Sequence, residues 1–382
     1  MFKKSLAAVA VLAAFAGSAY AADVTMYGRV DLGLRFTNTD ADKANADDVN
    51  KFEMASGNYT GSRFGLKGEE DLGNGMKVAF VLENGFDADD GSFDSNGDDK
   101  IFGRQASLHL KGSFGEVAFG RMGIMNSTAG TFGIGQFSAL ETGWGDVGNQ
   151  NLIWGAGFSS RLDNMVTYAT PEFAGAKVIA QYSFGKSHTP DADDETTQVE
   201  GKPTTDRYAG IGVTYNANNL ALRAIVDTIN KKSGDVNLGA KYKDVDDTVR
   251  VTVGGSYDFG VVKPFLAASY FKDGKVSAIP GADANGGVYD GYGIVLGANA
   301  PLFGGTLKAT AGYLDAEKQN VPAGVQGEDI SRFIVGAGYE YKLSKRTVVY
   351  ADAGYGQDDI DNKTNGDKPS YFQAAVGMAH YF

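Results

Sequence analysis

GIMNSTAGTFGIGQFSALETGWGDVGNQNLIWGAGFSS, residues 123–160, breaks the pattern that the rest of the chain obeys. On either side of it, apolar and polar residues alternate in runs of about ten, separated by short turns or by loops rich in Asp, Asn and Gly. These 38 residues mix Phe, Trp, Ile, Leu and Gly, carry no Lys or Arg before Arg161, and hold only two carboxylates, Glu141 and Asp146. A connection that long is uncommon in a compact domain and is usually functional. Its aromatics ask for a surface to pack on, and its carboxylates ask for water beside that surface. A surface Ω-loop would account for the length alone. A loop folded into the lumen of a β-barrel accounts for all three features.

Working outward, period-2 alternation dominates from Val24 to Phe382. Met26, Gly28, Val30, Leu32, Leu34 and Phe36 fall on one face of the first run, and Tyr27, Arg29, Asp31 and Arg35 on the other. Near the end, Phe333, Val335, Ala337, Tyr339, Tyr341 and Leu343 oppose Arg332, Glu340 and Lys342. A soluble sandwich would alternate in the same way. The connections separate the two. Strands are expected at 24–38, 62–71, 76–86, 101–112, 116–122, 162–172, 176–185, 206–217, 220–231, 247–258, 261–272, 288–301, 305–316, 330–343, 347–357 and 371–382, sixteen in all. Seven tight turns, among them Asn218-Asn219 and Leu302-Phe303-Gly304, alternate with eight long loops, many of them rich in Asp. That places every short turn at one end and every long loop at the other, as in an outer-membrane barrel. Residues 235–242 read either as loop or as a short extra strand, which would change the count by two and keep it even.

The fold class expected is therefore all-β, a transmembrane antiparallel β-barrel of 16 strands with its long third loop folded into the lumen. Strands of about ten residues are long enough to cross an apolar band at a tilt. Closure satisfies every backbone amide, which lipid cannot do. Aromatics at strand ends, such as Tyr168, Phe184, Tyr257, Phe271, Tyr313, Tyr341 and Phe382, suit the girdles at the two interfaces.

The address agrees. Residues 1–21, MFKKSLAAVAVLAAFAGSAYA, have a basic start, an apolar centre and a small-x-small end, which is the form of a cleaved signal peptide. The barrel domain is then 22–382, and loss of Lys3 and Lys4 takes the net charge from −12 to −14, which disfavours nucleic acid. The absence of cysteine excludes disulfides, thiolate metal sites and a Cys nucleophile together. His109, His188 and His380 are scattered, and none has a Ser and a carboxylate at a spacing that suggests a triad. The acidic stretches 87–99 and 361–366 do not satisfy the calcium-loop pattern, and no cofactor or metal is expected.

Several blocks resemble the trimeric general porins of Gram-negative outer membranes: MYGR at 26–29, SRFGLKGEEDLG at 62–73, FGRQ at 102–105, FGR at 119–121, NMVTYATPEFAG at 164–175 and the final Tyr381-Phe382. The resemblance spans the whole mature chain. It implies a homotrimer in the cell outer membrane, in contact with lipid and lipopolysaccharide and assembled by barrel-assembly machinery that reads Phe382. It also implies a pore constriction, with Arg29, Arg63, Arg104 and Arg161 on one wall and Glu141 and Asp146 facing them from the loop at 123–160. Arg29 and Arg63 do lie on the polar parity of their strands. Arg104 shares parity with Ala106, Leu108 and Leu110, which would turn it toward a neighbouring subunit unless the register of 101–112 is displaced.

The function expected is passive diffusion of small hydrophilic solutes and ions, with no enzymatic activity. Acidic outer loops would gather cations while an arginine wall favours anions, so composition leaves the sign of selectivity open. A substrate-selective channel would show an aromatic or basic ladder along the lumen, which the polar-parity residues do not supply. A surface adhesin would concentrate aromatics in the other loops, which are instead Asp, Asn, Gly and Lys.

Overall fold

The computed structural model describes residues 24–43, 47–93, 100–135, 137–140, 153, 160–185, 205–231, 246–276, 279, 288–319, 329–361 and 367–382. Among them are 17 strands: β1 Thr25–Asp40, β2 Val49–Ser56, β3 Arg63–Gly73, β4 Met76–Gly85, β5 Gln105–Gly112, β6 Gly115–Gly123, β7 Arg161–Ala169, β8 Ala176–Ser183, β9 Arg207–Ala217, β10 Leu220–Asn230, β11 Thr248–Tyr257, β12 Lys263–Gly274, β13 Val288–Leu302, β14 Gly305–Gln319, β15 Asp329–Lys342, β16 Thr347–Asp361 and β17 Ser370–Tyr381. From β3 onward each pairs antiparallel with the next, and β17 pairs with β1 to close the sheet.

The seventeenth strand does not add a stave. The first half of β1 pairs with β3 (Arg29 opposite Arg63), and its second half pairs with β2 (Leu34 opposite Met54). β2 and β3 are thus two halves of one stave, interrupted at 57–62, and the barrel has the sixteen staves expected. The β2 segment has an alternation of its own, Phe52 and Met54 against Lys51 and Glu53, but it is short and sits in a polar connection. The 235–242 segment lies outside the described residues.

Tight turns need left-handed backbone, and the sequence supplies it. Asn74-Gly75, Ala174-Gly175 and Phe303-Gly304 each place two consecutive residues at positive φ, between 49° and 83°. That is the twist that matches two-residue hairpins. The barrel closes where the ends meet: Phe382 N donates to Gly28 O at 3.0 Å and Gly28 N to Phe382 O at 3.1 Å.

The distribution of polarity is inverted relative to a water-soluble fold. Leu108, Leu222, Leu266, Leu296 and Val376 stand exposed on the outer face. Residues of the opposite parity, including Gln105, Asp227, Arg250, Thr252, Arg332, Asp358 and Gln373, are buried. A continuous exposed apolar band is stable only against lipid. Among the described residues no helix is long and apolar enough to cross a membrane. Apolar packing occurs on the inner side, where Met125, Phe137 and Ile153 of the 123–160 stretch join Ile225, Phe271, Val295 and Ile334 of the wall.

Candidate pore constriction

The described residues of the 123–160 stretch lie against the polar face of the wall. Met125 N donates to Gln181 Oε1 of β8 at 2.7 Å, and the amide of Asn126 meets Thr252 Oγ1 of β11 at 2.9 Å. Phe137 sits over Gly254 of β11, Ala139 over Gly297 of β13, and Ile153 over Gly293 and Gly312 of β13 and β14. Leu140 packs with Tyr350 of β16. The described residues of the stretch therefore touch the inner face at points from β8 to β16. A Cβ at Gly293 would collide with the Ile153 carbonyl oxygen, so the wall is glycine where the loop backbone approaches it. Glu141 and Asp146 lie outside the described residues.

The four arginines singled out in the sequence converge. Arg29, Arg104 and Arg161 all lie within electrostatic range of Arg63. Two of them share a carboxylate that the sequence reading missed. Glu83 Oε1 is 2.9 Å from Arg104 Nε and 3.7 Å from Arg63 Nη1, and its Oε2 accepts from Tyr27 Oη at 3.0 Å. The signal for Glu83 lay in the turn at Asn74-Gly75, which fixes the hairpin register and sets Gly65 opposite Glu83. Arg63 Nε also donates to Gly61 O at 2.9 Å. Arg29 Nη1 donates to Thr60 Oγ1 at 2.7 Å, and its guanidinium lies 5.1 Å from the centre of the Tyr381 ring. Arg161 opens β7, with Nη1 donating to Ser160 Oγ at 3.2 Å.

Arg104 corrects the expected parity. The strand begins at Gln105 rather than at residue 101, and residues 101–104 form a turn tied to β4 by Asn84 Nδ2, which donates to Ile101 O. Arg104 N donates to Glu83 O at 3.2 Å while its side chain folds onto the Glu83 carboxylate. Strand alternation does not extend to it, and it faces the cluster rather than a neighbouring subunit.

Elsewhere on the inner wall several buried charges form ion pairs. Arg250 holds Asp227 with two bonds of 2.9 and 2.6 Å, and Arg332 holds Asp358 with two of 2.5 and 2.7 Å. Lys308 pairs with Glu340 at 3.1 Å, and Arg121 and Lys100 share Asp163. Arg63 and Arg104 differ in sharing the single carboxylate of Glu83, with Arg29 and Arg161 close to Arg63.

His109 also differs from its sequence reading. The turn after β5 returns Glu116 to it, so Ser107 Oγ lies 2.8 Å from His109 Nε2 and Glu116 Oε1 lies 2.8 Å from His109 Nδ1. The order imitates a triad. Ser107 and His109 are nevertheless buried, Phe132 stacks on the imidazole at 5.7 Å, and Gln105 Nε2 donates to Ser107 Oγ at 2.7 Å. Backbone amides of β5 are committed to the sheet and do not turn toward the serine. The row is a polar tie between wall and loop, since Gln105 also bonds Thr131 Oγ1 at 2.8 Å.

A family profile described as Gram-negative porin matches residues 8–363. An outer membrane porin protein of Bordetella pertussis is 34% identical across 92% of this chain and 94% of its own length. Outer membrane porin protein 32 of Delftia acidovorans is 32% identical across 92% and 89%. Among solved structures, an anion-selective porin from Comamonas acidovorans superposes with a TM-score of 0.67 at 26% identity, covering 95% of this chain and all of that one. The sixteen-stave barrel, its inverted polarity and these matches give one result: the chain belongs to the Gram-negative porins, outer-membrane barrels that let small hydrophilic solutes diffuse through a water-filled channel.

Proposed function

We propose that Arg29, Arg63, Arg104 and Arg161 form one wall of the pore's constriction, with Glu141 and Asp146 opposite them on the loop at 123–160, and that the channel prefers small anions. The observation that carries this is the cluster itself: Arg63 and Arg104 share the Glu83 carboxylate, and Arg29 and Arg161 lie within electrostatic range of Arg63. A barrel of sixteen staves leaves a lumen too wide for side chains to fill, so a loop against its wall sets the bore. Opposed charges then create a transverse field that admits dipolar, hydrated solutes and penalises apolar ones. Anions gain at the arginine wall, and an interaction weak enough to let them leave keeps them moving. The similarity to an anion-selective porin supports the same sign.

The working unit on this reading is a homotrimer of chains cleaved after residue 21. It sits in contact with lipid and lipopolysaccharide, and assembly machinery recognises Phe382 at the seam where the barrel closes.

The test is the zero-current potential of purified protein in a planar bilayer under a tenfold KCl gradient. The wild type should show chloride entering more readily than potassium, and Glu141→Gln with Asp146→Asn should increase that preference. A cation-preferring wild type, or a double variant with an unchanged potential, would remove the assignment.

A further inference from the structure

The break between β2 and β3 is more than a bulge. Residues 57–62, Gly-Asn-Tyr-Thr-Gly-Ser, turn inward off the stave and cross the inner wall. We propose that this strap is a second inward-folded element of the pore, positioning the arginine wall on one side and the inserted loop at Leu140 on the other. The proposal rests on the pore reading above and extends it to residues that reading does not use.

Three sets of bonds carry it. The first anchors the strap. Asp31 of β1 is wholly buried, a costly place for a carboxylate without donors, and the strap supplies them: Tyr59 N and Thr60 N each donate to its Oδ2 at 2.7 Å. Tyr350 Oη donates to the other oxygen at 2.8 Å, and Gly57 N bonds the Asp31 carbonyl at 3.1 Å. Ser62 and Asp31 are joined again, Asp31 N donating to Ser62 Oγ at 3.0 Å, and the Ser56 and Ser62 hydroxyls meet at 3.2 Å to pinch the strap's base.

The second set spreads it over the wall. Asn58 Nδ2 donates to Asp352 Oδ2 of β16 at 2.8 Å, and Asn58 Oδ1 accepts from Gln373 of β17 at 3.2 Å. Tyr59 stacks on Tyr350, with ring centres 5.2 Å apart, and its hydroxyl donates to Glu340 Oε2 of β15 at 2.8 Å. A bulge that only relieved strand strain would not engage three staves beyond its own pair.

The third set reaches the constriction. Thr60 Oγ1 accepts from Arg29, and Gly61 O accepts from Arg63. A Cβ at Gly61 would lie 3.3 Å from Arg104 Nη1, so the strap's backbone abuts a third guanidinium. On the other flank Leu140, the residue before Glu141, packs on Tyr350 and Tyr59. One short segment therefore touches both sides of the proposed constriction.

The experiment compares wild type, Tyr59→Ala, Tyr59→Phe and Thr60→Cys in single-channel recordings. Tyr59→Ala should raise open-level current noise severalfold and increase conductance, while Tyr59→Phe, which keeps the stack on Tyr350, should restore quiet openings. The chain has no cysteine of its own, so Thr60→Cys carries a single thiol. A negatively charged methanethiosulfonate added to that variant should lower its current and move the zero-current potential toward potassium. Wild-type noise and conductance in a folded Tyr59→Ala barrel would overturn the proposal. So would a thiol whose reaction leaves current and potential unchanged, and this arm stands even if Tyr59→Ala does not fold. A wild-type protein that fails to conduct would instead sink the underlying pore reading.

Discussion

Replacing Arg63 and Arg104 together with serine should turn the channel from anion-preferring to cation-preferring. The two guanidinium groups are the ones nearest Glu83, at 3.7 and 2.9 Å, so the change removes two positive charges and frees a negative one in the same few ångströms. A unit charge at ~4 Å is worth about 1 kcal/mol in a water-like medium, and ~1.4 kcal/mol is tenfold in a ratio, so the chloride-to-potassium permeability ratio should fall by on the order of tenfold. The effect should be larger in 0.1 M salt than in 1 M, where screening shrinks to ~3 Å. The check is the zero-current potential at both concentrations. Glu83→Gln should move it the opposite way, toward chloride, because that glutamate is the carboxylate inside the cluster. A double-serine variant that kept the wild-type potential would mean that permeating ions do not sample this wall.

The second large effect concerns stability rather than passage. Asp358→Ala should cost about 3–5 kcal/mol, the usual result of removing one partner from a buried ion pair. Arg332 is among the largest fully buried side chains and gives two bonds to that carboxylate, both short, so the substitution strands a charge where water does not replace the lost bonds. Asp359, the adjacent residue, offers the control. Its partner Lys368 is exposed, and Asp359→Ala should leave the unfolding midpoint where it was. Urea or heat titration of the folded, faster-migrating form on gels separates the two variants. Equal midpoints would show that the Arg332–Asp358 pair is wetter than its burial indicates.

Both expectations rest on features that the sequence made visible to different degrees. Alternation such as Met26, Leu32 and Leu34 against Arg29, Asp31 and Arg35 is local, and so are turn residues such as Asn74-Gly75, which is why the staves and their connections could be read directly. Arg29 and Arg63 were legible for the same reason, since parity within a strand fixes which way a side chain points. Arg104 was not, because where a strand begins depends on pairing, here with Glu83 and Ile101 through the bonds of β4 and the 101–104 turn. The strap at 57–62 has the composition of any loop. Its order comes from Asp31, Glu340, Asp352 and Gln373, partners 28 to 315 positions away along the chain, and no local pattern records them. The Ser107, His109 and Glu116 row was hidden by a hairpin that folds two of its members together from opposite sides of a turn. In each case the missed feature is a side-chain contact between staves, whereas what was found is the periodicity within one.

That this barrel encloses an open aqueous path lined by the arginine cluster is the expectation on which the others depend. It is tested most directly by single-channel recording of the purified mature protein in a planar bilayer. Stepwise, ohmic insertions in groups of three conducting units are expected, with a zero-current potential on the chloride side. A correctly folded barrel that inserts without conducting would contradict it.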